Sequence, residues 1–452
     1  MNSGRFDKLV GRKRPGTYIN VDANATPAVI FGARGNVLIP LVNEWDPHGQ
    51  IVKITADNIT AHRAELGDDV VNILLLNEAF KGASTVYAYI LNKGAKASKI
   101  ITLAPASGDD PAATLTATAK YPGYRGNWVK VQSVANTDGT FDVQILFGWD
   151  VVEVFEKLST AADLIAAGSQ YIDFTASSET QALVAFASAS LEGGTSTGIE
   201  NLDITTMLDS LENENISALA FPFEETALKA AAVSKAKYLR DTFGKVFQVV
   251  VADYPTADYE GVINVTNSYQ LSNGTALTHA QATAYVAAIT ASGTELVSNT
   301  YRLVPDADTV VDAKTNEQAE AAIDAGEFFF SQDGDNVIVE YDINSLHTFT
   351  ATRTESYRKN KVIRVYDAVS ETIRQTFPPN RFPNSKVGWD LMDGLCQTIL
   401  QHYLDIGAIM DVNLATDMKV NRSESKGDSV YFDARIHAVD AAEKLYFTVI
   451  TD

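Results

Sequence analysis

The segment at the C-terminal end of this chain most constrains what the chain can become. Residues 445–451, Leu-Tyr-Phe-Thr-Val-Ile-Thr, are rich in β-branched and aromatic side chains and apolar on both faces. A chain end frays unless it is tied down. An extended segment this apolar invites aggregation unless its edge is paired. These residues therefore have to complete a sheet, in their own subunit or in a neighbour's. Just upstream, residues 430–439 carry the two-residue period of a half-buried strand. Val430, Phe432, Ala434, Ile436 and Ala438 alternate there with Tyr431, Asp433, Arg435 and His437. A short acidic joint, Asp440-Ala-Ala-Glu443, separates the two runs.

The remainder has to supply that sheet and a core. At 452 residues the chain has room for roughly two to four domains. Residues 1–21 form a basic arm with Arg5, Lys8, Arg12, Lys13 and Arg14, then a Pro15-Gly16 turn, then a β-like run containing Thr17, Tyr18 and Ile19. The arm is too poor in apolar residues for a core. It is either a free tail or an extended segment docked on another surface. Residues 22–91 read as mixed β and α, with strands at 28–31, 36–42 and 86–91. A helix capped by Asp68 or Asp69 runs to Phe80. Residues 92–199 are rich in Ala, Thr, Ser and Gly and read as an inserted, mostly β domain. There, Thr137-Asp-Gly-Thr140 signals a hairpin between runs starting at Trp128 and Phe141.

Alternation of helix and strand resumes over 200–345, the pattern of a layered α/β core. A helix from Glu224 to Phe243 ends at Gly244. Thr278-x-x-Gln281 and Thr315-x-x-Gln318 have capping-box spacing, and Asp333-Gly334 marks a second hairpin. Residues 346–439 hold two long helices and the first terminal strand. Tyr366, Val369, Ile373 and Phe377 form one stripe, ended by Pro378-Pro379. Leu391, Leu395, Ile399 and Tyr403, beside Met392, Cys396, Leu400 and Leu404, form a broader one. Residues 440–452 are a terminal linking strand. The expected architecture is α/β and α+β multidomain: a layered α/β core, an inserted mostly-β domain, and a C-terminal α+β domain with exchangeable terminal strands.

Chemistry-bearing motifs are missing. There is no G-x-x-x-x-G-K-[ST], G-x-G-x-x-G, H-E-x-x-H or G-x-S-x-G. The six histidines are scattered without ligand spacing. Asp333-Gly-Asp335 fits a hairpin better than a calcium loop. Asp68-Asp69 and Glu224-Glu225 sit at helix starts, where acids offset the dipole. A single cysteine, Cys396, on an apolar stripe excludes an internal disulfide framework and a Cys-based zinc site. A net charge of −21 opposes an extended nucleic-acid footprint. No run approaches a membrane helix, and the first residues lack a signal-peptide core, so synthesis and residence in a cytoplasm are expected. No cofactor, metal or catalytic residue is expected. An α/β enzyme of unknown substrate is the alternative that the 200–345 alternation suggests. A secreted adhesin or surface-layer protein is the one the Thr/Ala-rich insert suggests.

Short blocks spread along the chain resemble contractile tail sheath proteins of myophages and phage-tail-like bacteriocins. They include Arg14-Pro-Gly-Thr-Tyr-Ile, Ile39-Pro-Leu-Val-Asn-Glu-Trp-Asp-Pro (with Asp46 where the family has Gly) and Tyr121-Pro-Gly-Tyr-Arg-Gly-Asn. Further along come the match running from 284–289 to Thr300-Tyr, the 315–326 block, Asp342-Ile-Asn-Ser-Leu, Arg358-Lys-Asn-Lys-Val-Ile-Arg-Val, Asp428-Ser-Val-Tyr and Val439-Asp-Ala-Ala-Glu-Lys-Leu-Tyr-Phe-Thr-Val. The resemblance implies a bacteriophage-tail or bacteriocin particle, built in the bacterial host cytoplasm, with no chemistry. Six subunits would ring a tail tube and the rings would stack as a helix. Partners would be further copies of the chain, the tube protein, and baseplate and tail terminator proteins, with no direct nucleic acid and no membrane insertion. The inter-subunit linkage would run through Thr17, Tyr18, Ile19, Val430, Phe432, Ile436, Leu445, Tyr446, Phe447, Thr448, Val449 and Ile450. A helix around residues 386–410 would face the tube.

Overall fold

The computed structural model describes residues 35–105 and 111–450. The expected strand at 28–31 and the arm containing Thr17, Tyr18 and Ile19 lie outside the described residues. The chain divides into two compact units. One comprises Ala33–Ala368 with Ala438–Asp452, and the other includes Val369–His437.

A seven-stranded sheet forms the centre of the larger unit. Its strands are β1 (Asn36–Leu41), β2 (Ile51–Thr55), β3 (Thr85–Ile90), β4 (Ala218–Ala220), β5 (Gln248–Ala252), β6 (Val262–Val265) and β7 (Glu327–Phe328). The order is β7-β6-β5-β4-β1-β3-β2, parallel throughout except for the β2–β3 pair. Parallel strands need helical crossovers, which cover both faces of a sheet. The side-chain alternation follows. Val37, Ile39 and Leu41 of β1 and Val250 of β5 enter one apolar cluster, while Leu38, Val249 and Val251 enter the other. Helices α1 (Leu74–Phe80) and α4 (His279–Ser292) supply the first cluster. Helices α2 (Asn201–Ser210) and α3 (Thr226–Lys237) supply the second. Helix α4 is buried almost all round, as an Ala-rich helix in a core must be. A Cβ at Gly82 would sit 3.0 Å from the Ile289 nitrogen, so that glycine permits the close approach of α4. Both expected capping boxes form, on α4 and on α5 (Asn316–Asp324). The Asp333-Gly334 hairpin also forms.

Two local expectations need correction. The helix expected from Asp68 begins only at Leu74, after a 3-10 turn at Val70–Asn72. Val70, Val71 and Ile73 are β-branched and disfavour the helix. Asp68 is already held by Asn72 and Arg125, which leaves it unavailable as a cap. The helix expected from Glu224 to Phe243 is α-helical over Thr226–Lys237 and becomes a π-helix at Tyr238–Phe243 before Gly244 closes it at φ 76°. That wide turn carries Arg240, whose guanidinium donates two hydrogen bonds to Asp367, at 2.7 and 2.9 Å.

Residues 98–190 hold a three-stranded and a four-stranded antiparallel sheet around one apolar cluster. Trp45, from the loop after β1, is fully buried in that cluster. Its ring meets Phe147 and Tyr121 edge-on, and its Nε1–H donates to the Ala64 carbonyl at 2.9 Å. A Cβ at Gly123 would lie 1.8 Å from the Glu44 carbonyl oxygen, so only glycine fits where the insert meets this loop. Asp46 is also fully buried. Burial pushes its carboxyl well above the usual range, against the opposing pull of Arg125.

Helix α6 (Asn360–Thr376) carries the chain from the larger unit into the smaller one. Its expected stripe is only partly covered: Tyr366, Ile373 and Phe377 are half-buried. The most buried positions instead include the polar residues Asn360, Arg364 and Asp367. Each of these finds a buried partner: Asp342 for Asn360 and Arg364, and Arg240 for Asp367. In the smaller unit, helix α7 (Lys386–Asp405) packs against a two-stranded antiparallel sheet, β8 (Met418–Lys426) and β9 (Ser429–Ala434). Met392, Leu395, Cys396, Ile399, Leu400 and Tyr403 are buried, whereas Leu391 faces out. Burial raises the Cys396 thiol to about 12, so it is inert at neutral pH.

Candidate assembly surfaces

The C-terminal segment changes character at one residue. Ala438 is buried, and the Val439 carbonyl accepts a hydrogen bond from the Lys361 ammonium. Glu443 follows, its side chain only 8% exposed. Its Oε1 accepts from Ser298 Oγ at 2.6 Å and from Thr300 Oγ1 at 2.7 Å, and its Oε2 pairs with Lys359 Nζ. The Lys359 ammonium also sits over the Tyr341 ring, 4.2 Å from its centroid. Burial works against this ammonium, but Glu443 and Tyr341 outweigh it and raise its pKa.

A fully buried ion pair lies behind these contacts. Arg364 Nη2 donates to Asp342 Oδ2 at 2.9 Å, and both side chains are 0% exposed. The Asp342 carboxylate also accepts from the Asn299 amide and from Asn360 Nδ2. Burial pushes Asp342 up, yet Arg364 and these donors more than offset it and hold the carboxyl below its ordinary range. The Asp342 amide donates to Thr300 Oγ1 at 2.9 Å. Thr300 therefore couples the buried pair to Glu443.

Beyond Lys444 the described side chains are exposed. Leu445, Tyr446, Phe447, Val449 and Ile450 are 68–89% exposed, and Thr448 is exposed as well. Among the described residues, 445–450 join no strand and make no backbone hydrogen bond. Among the described residues, this apolar run completes no sheet.

The smaller unit has its own unfinished sheet. β8 and β9 are its only described strands, so each leaves one edge unpaired by described residues. α7 covers β8, and Arg422 of β8 bridges Asp390 and Asp393 of α7 at 2.7 and 2.6 Å. Asn384 holds the β8–β9 turn through the Gly427 and Ser429 carbonyls. The strand expected over 430–439 ends at Ala434. The alternation there does not bury one face: Val430 and Ile436 are half-buried, Phe432 is exposed although its ring meets Phe377, and Tyr431 is 51% exposed. A two-stranded sheet has too little area to bury what its sequence pattern presents.

Thr300, Lys359 and Lys361 lie in blocks that carry the family resemblance, but neither they nor Ser298 were expected to meet the 439–443 segment. Each is a polar residue far from Glu443 along the chain, so no local pattern marks the contact. Elsewhere, His279 lies between Asp253 and Asp312, 2.8 and 3.1 Å away, with its pKa raised chiefly by the Asp253 hydrogen bond. It ties the first turn of α4 to two loops. Among the described residues no group of three or more His, Cys, Asp or Glu is arranged to hold a metal ion. No helix there is long and apolar enough to cross a membrane.

Three family models match successive parts of the chain: the phage tail sheath protein β-sandwich domain over residues 92–197, the central domain over 197–345, and the C-terminal domain over 352–451. The phage-like element PBSX protein XkdK of Bacillus subtilis strain 168 is 32% identical, over 99% of each chain. A sheath tail protein from Desulfitobacterium hafniense, solved as a crystal structure, is 36% identical and superposes with a TM-score of 0.83 over 96% of this chain and 99% of that one. The helical sheath of the anti-feeding prophage in its contracted state shares the fold, with a TM-score of 0.58 at 13% identity over 98% of this chain and all of that one. With its α/β core, β-sandwich insert and C-terminal α+β unit, the chain belongs to the phage tail sheath family, the structural proteins that build the sheaths of contractile tails.

Proposed function

We propose that this chain polymerises as stacked hexameric rings around a tail tube, and that the sheath contracts to drive the tube through a cell envelope. One observation carries this reading: an apolar strand-forming segment, residues 445–450, is exposed and unpaired among the described residues, in a subunit whose β9 edge is also unpaired by described residues. A strand of one copy adds to the sheet of the next, by β-augmentation. The contact is head-to-tail, so it propagates instead of closing. The N-terminal arm, with Thr17, Tyr18 and Ile19, is the second donor. About four to six ladder bonds at ~1 kcal/mol each, with burial of the apolar side chains, give a linkage that outlasts large subunit movements. The working parts are the arm at 1–21, the core at 22–91 and 200–345, the insert at 92–199, the assembly domain at 346–439 and the linking strand at 440–452. The helix segment at 386–410 faces the tube. The energy of contraction comes from improved contacts between subunits, without catalysis or cofactor. Tube, baseplate and terminator proteins are the partners, in a phage or phage-tail-like particle made in the bacterial cytoplasm.

The test ends the chain after Lys444. The expected product is a subunit with an unchanged melting temperature that forms no sheath tubes by negative-stain microscopy. Normal tubes from this truncation overturn the reading.

A further inference from the structure

We infer that Glu443 and Lys359 are positioning residues for assembly: their buried pair pins the C-terminal segment to its own subunit and fixes where the linking strand departs. The inference rests on the proposed strand donation and adds the identity of the anchor.

A donated strand can bind a neighbour from a loose tether or from a fixed mount. On a loose tether it must be ordered as it binds, and it carries little force back to its own subunit. A fixed mount removes much of the ordering cost and raises the local concentration of the strand at the neighbour's edge. The geometry here is that of a mount. Glu443 is nearly buried, two residues before a run of side chains that are largely exposed. Both of its oxygens are engaged, Oε1 by two hydroxyls and Oε2 by an ammonium. The Lys361 ammonium grips the Val439 carbonyl four residues earlier, so the segment is held at two points. Through Thr300 the anchor reaches the Asp342–Arg364 pair, which is fully buried. Traction on the strand is thus delivered into a fully buried ion pair, and not to a surface loop.

Charge makes the arrangement specific. In Glu443→Gln an amide oxygen kept against Ser298 and Thr300 turns the amide nitrogen toward the Lys359 ammonium, donor against donor. Flipping the amide turns the two hydroxyls into acceptors and gives Lys359 only a neutral oxygen. Either way the charge-assisted contact is lost, while size and shape are preserved.

The experiment compares full-length wild type, Glu443→Gln, Lys359→Arg and the chain ended after Lys444. The first readout is trypsin cleavage after Lys444 in dissociated subunits, which requires local detachment of the flanking residues. Glu443→Gln is expected to accelerate that cut about tenfold or more, the loss expected of a charge-assisted hydrogen bond, at an unchanged melting temperature. Lys359→Arg, which keeps the charge, stays near wild type. The second readout is tube length by negative-stain microscopy, where Glu443→Gln gives short or fragmenting tubes. An unchanged cleavage rate overturns the anchor. Faster cleavage with wild-type tubes overturns its role in assembly, provided the truncated chain still fails to assemble. Normal tubes from the truncated chain sink strand donation itself, a separate failure.

Discussion

β5 and residues 445–450 carry similar side chains, with apolar groups presented to both faces. In β5 every residue is buried, because helices cover one side and the other of a parallel sheet. In the C-terminal run the corresponding side chains are 68–89% exposed. The local pattern is the same and the environment is opposite. A strand that is apolar on both sides states that it will be covered, but not by which molecule. In β5 the cover comes from the same chain, and for the tail the proposed cover is another copy. On that reading the first strand contributes to folding, the second to assembly.

Three tests break or sharpen this contrast. The largest effect is expected at the enclosed pair behind the anchor. Asp342→Asn leaves the Arg364 charge buried without its partner, which costs about 3–5 kcal/mol. Because the folded state holds the Asp342 carboxyl below its ordinary value, wild type gains stability from it above about pH 3.9. That gain disappears as pH falls through the lower, folded pKa. Urea denaturation against pH should therefore show an acid-side slope in wild type that flattens in Asp342→Asn.

The second applies one chemical change to both kinds of strand. Ile263→Ala in β6, at a fully buried site, should destabilise the subunit by about 2–5 kcal/mol. Ile450→Ala should leave the dissociated subunit within about 0.5 kcal/mol of wild type and appear only in tube formation. Equal losses in the two dissociated subunits would abolish the distinction between them.

The smallest effect is expected on the exposed face of α7. Gly394 lies inside that helix with no atom within 4 Å of an added Cβ. Gly394→Ala should therefore stabilise the isolated subunit by about 0.5–1 kcal/mol, read as a higher melting temperature. A lower melting temperature would mean that this face is covered within the subunit.

The sequence announced what repeats locally. Apolar, β-prone runs marked β1 and β3, Thr-x-x-Gln marked the starts of α4 and α5, and Asp-Gly marked both hairpins. It failed where distant residues decide. The polar face of α6 is buried because Asp342 and Arg240, from other elements, neutralise it. The turn at Val70–Asn72 interrupts a helix because Arg125 occupies Asp68. For the assembly surface, the strand residues 445–450 could be read directly from their apolarity. Their anchor could not, since Glu443 resembles any acidic residue in a polar joint and its donors at 298, 300 and 359 come from remote parts of the chain.

Only Lys444 separates the held carboxylate of Glu443 from the first uncovered leucine. Such a connection spans only about 6.6 Å at full extension, too little to pay out like rope. If a neighbouring copy binds the strand, the two bodies can swing about this point but cannot slide apart along it. Motion between linked copies is then confined to rotation, and a lattice stitched this way changes its pitch and diameter together.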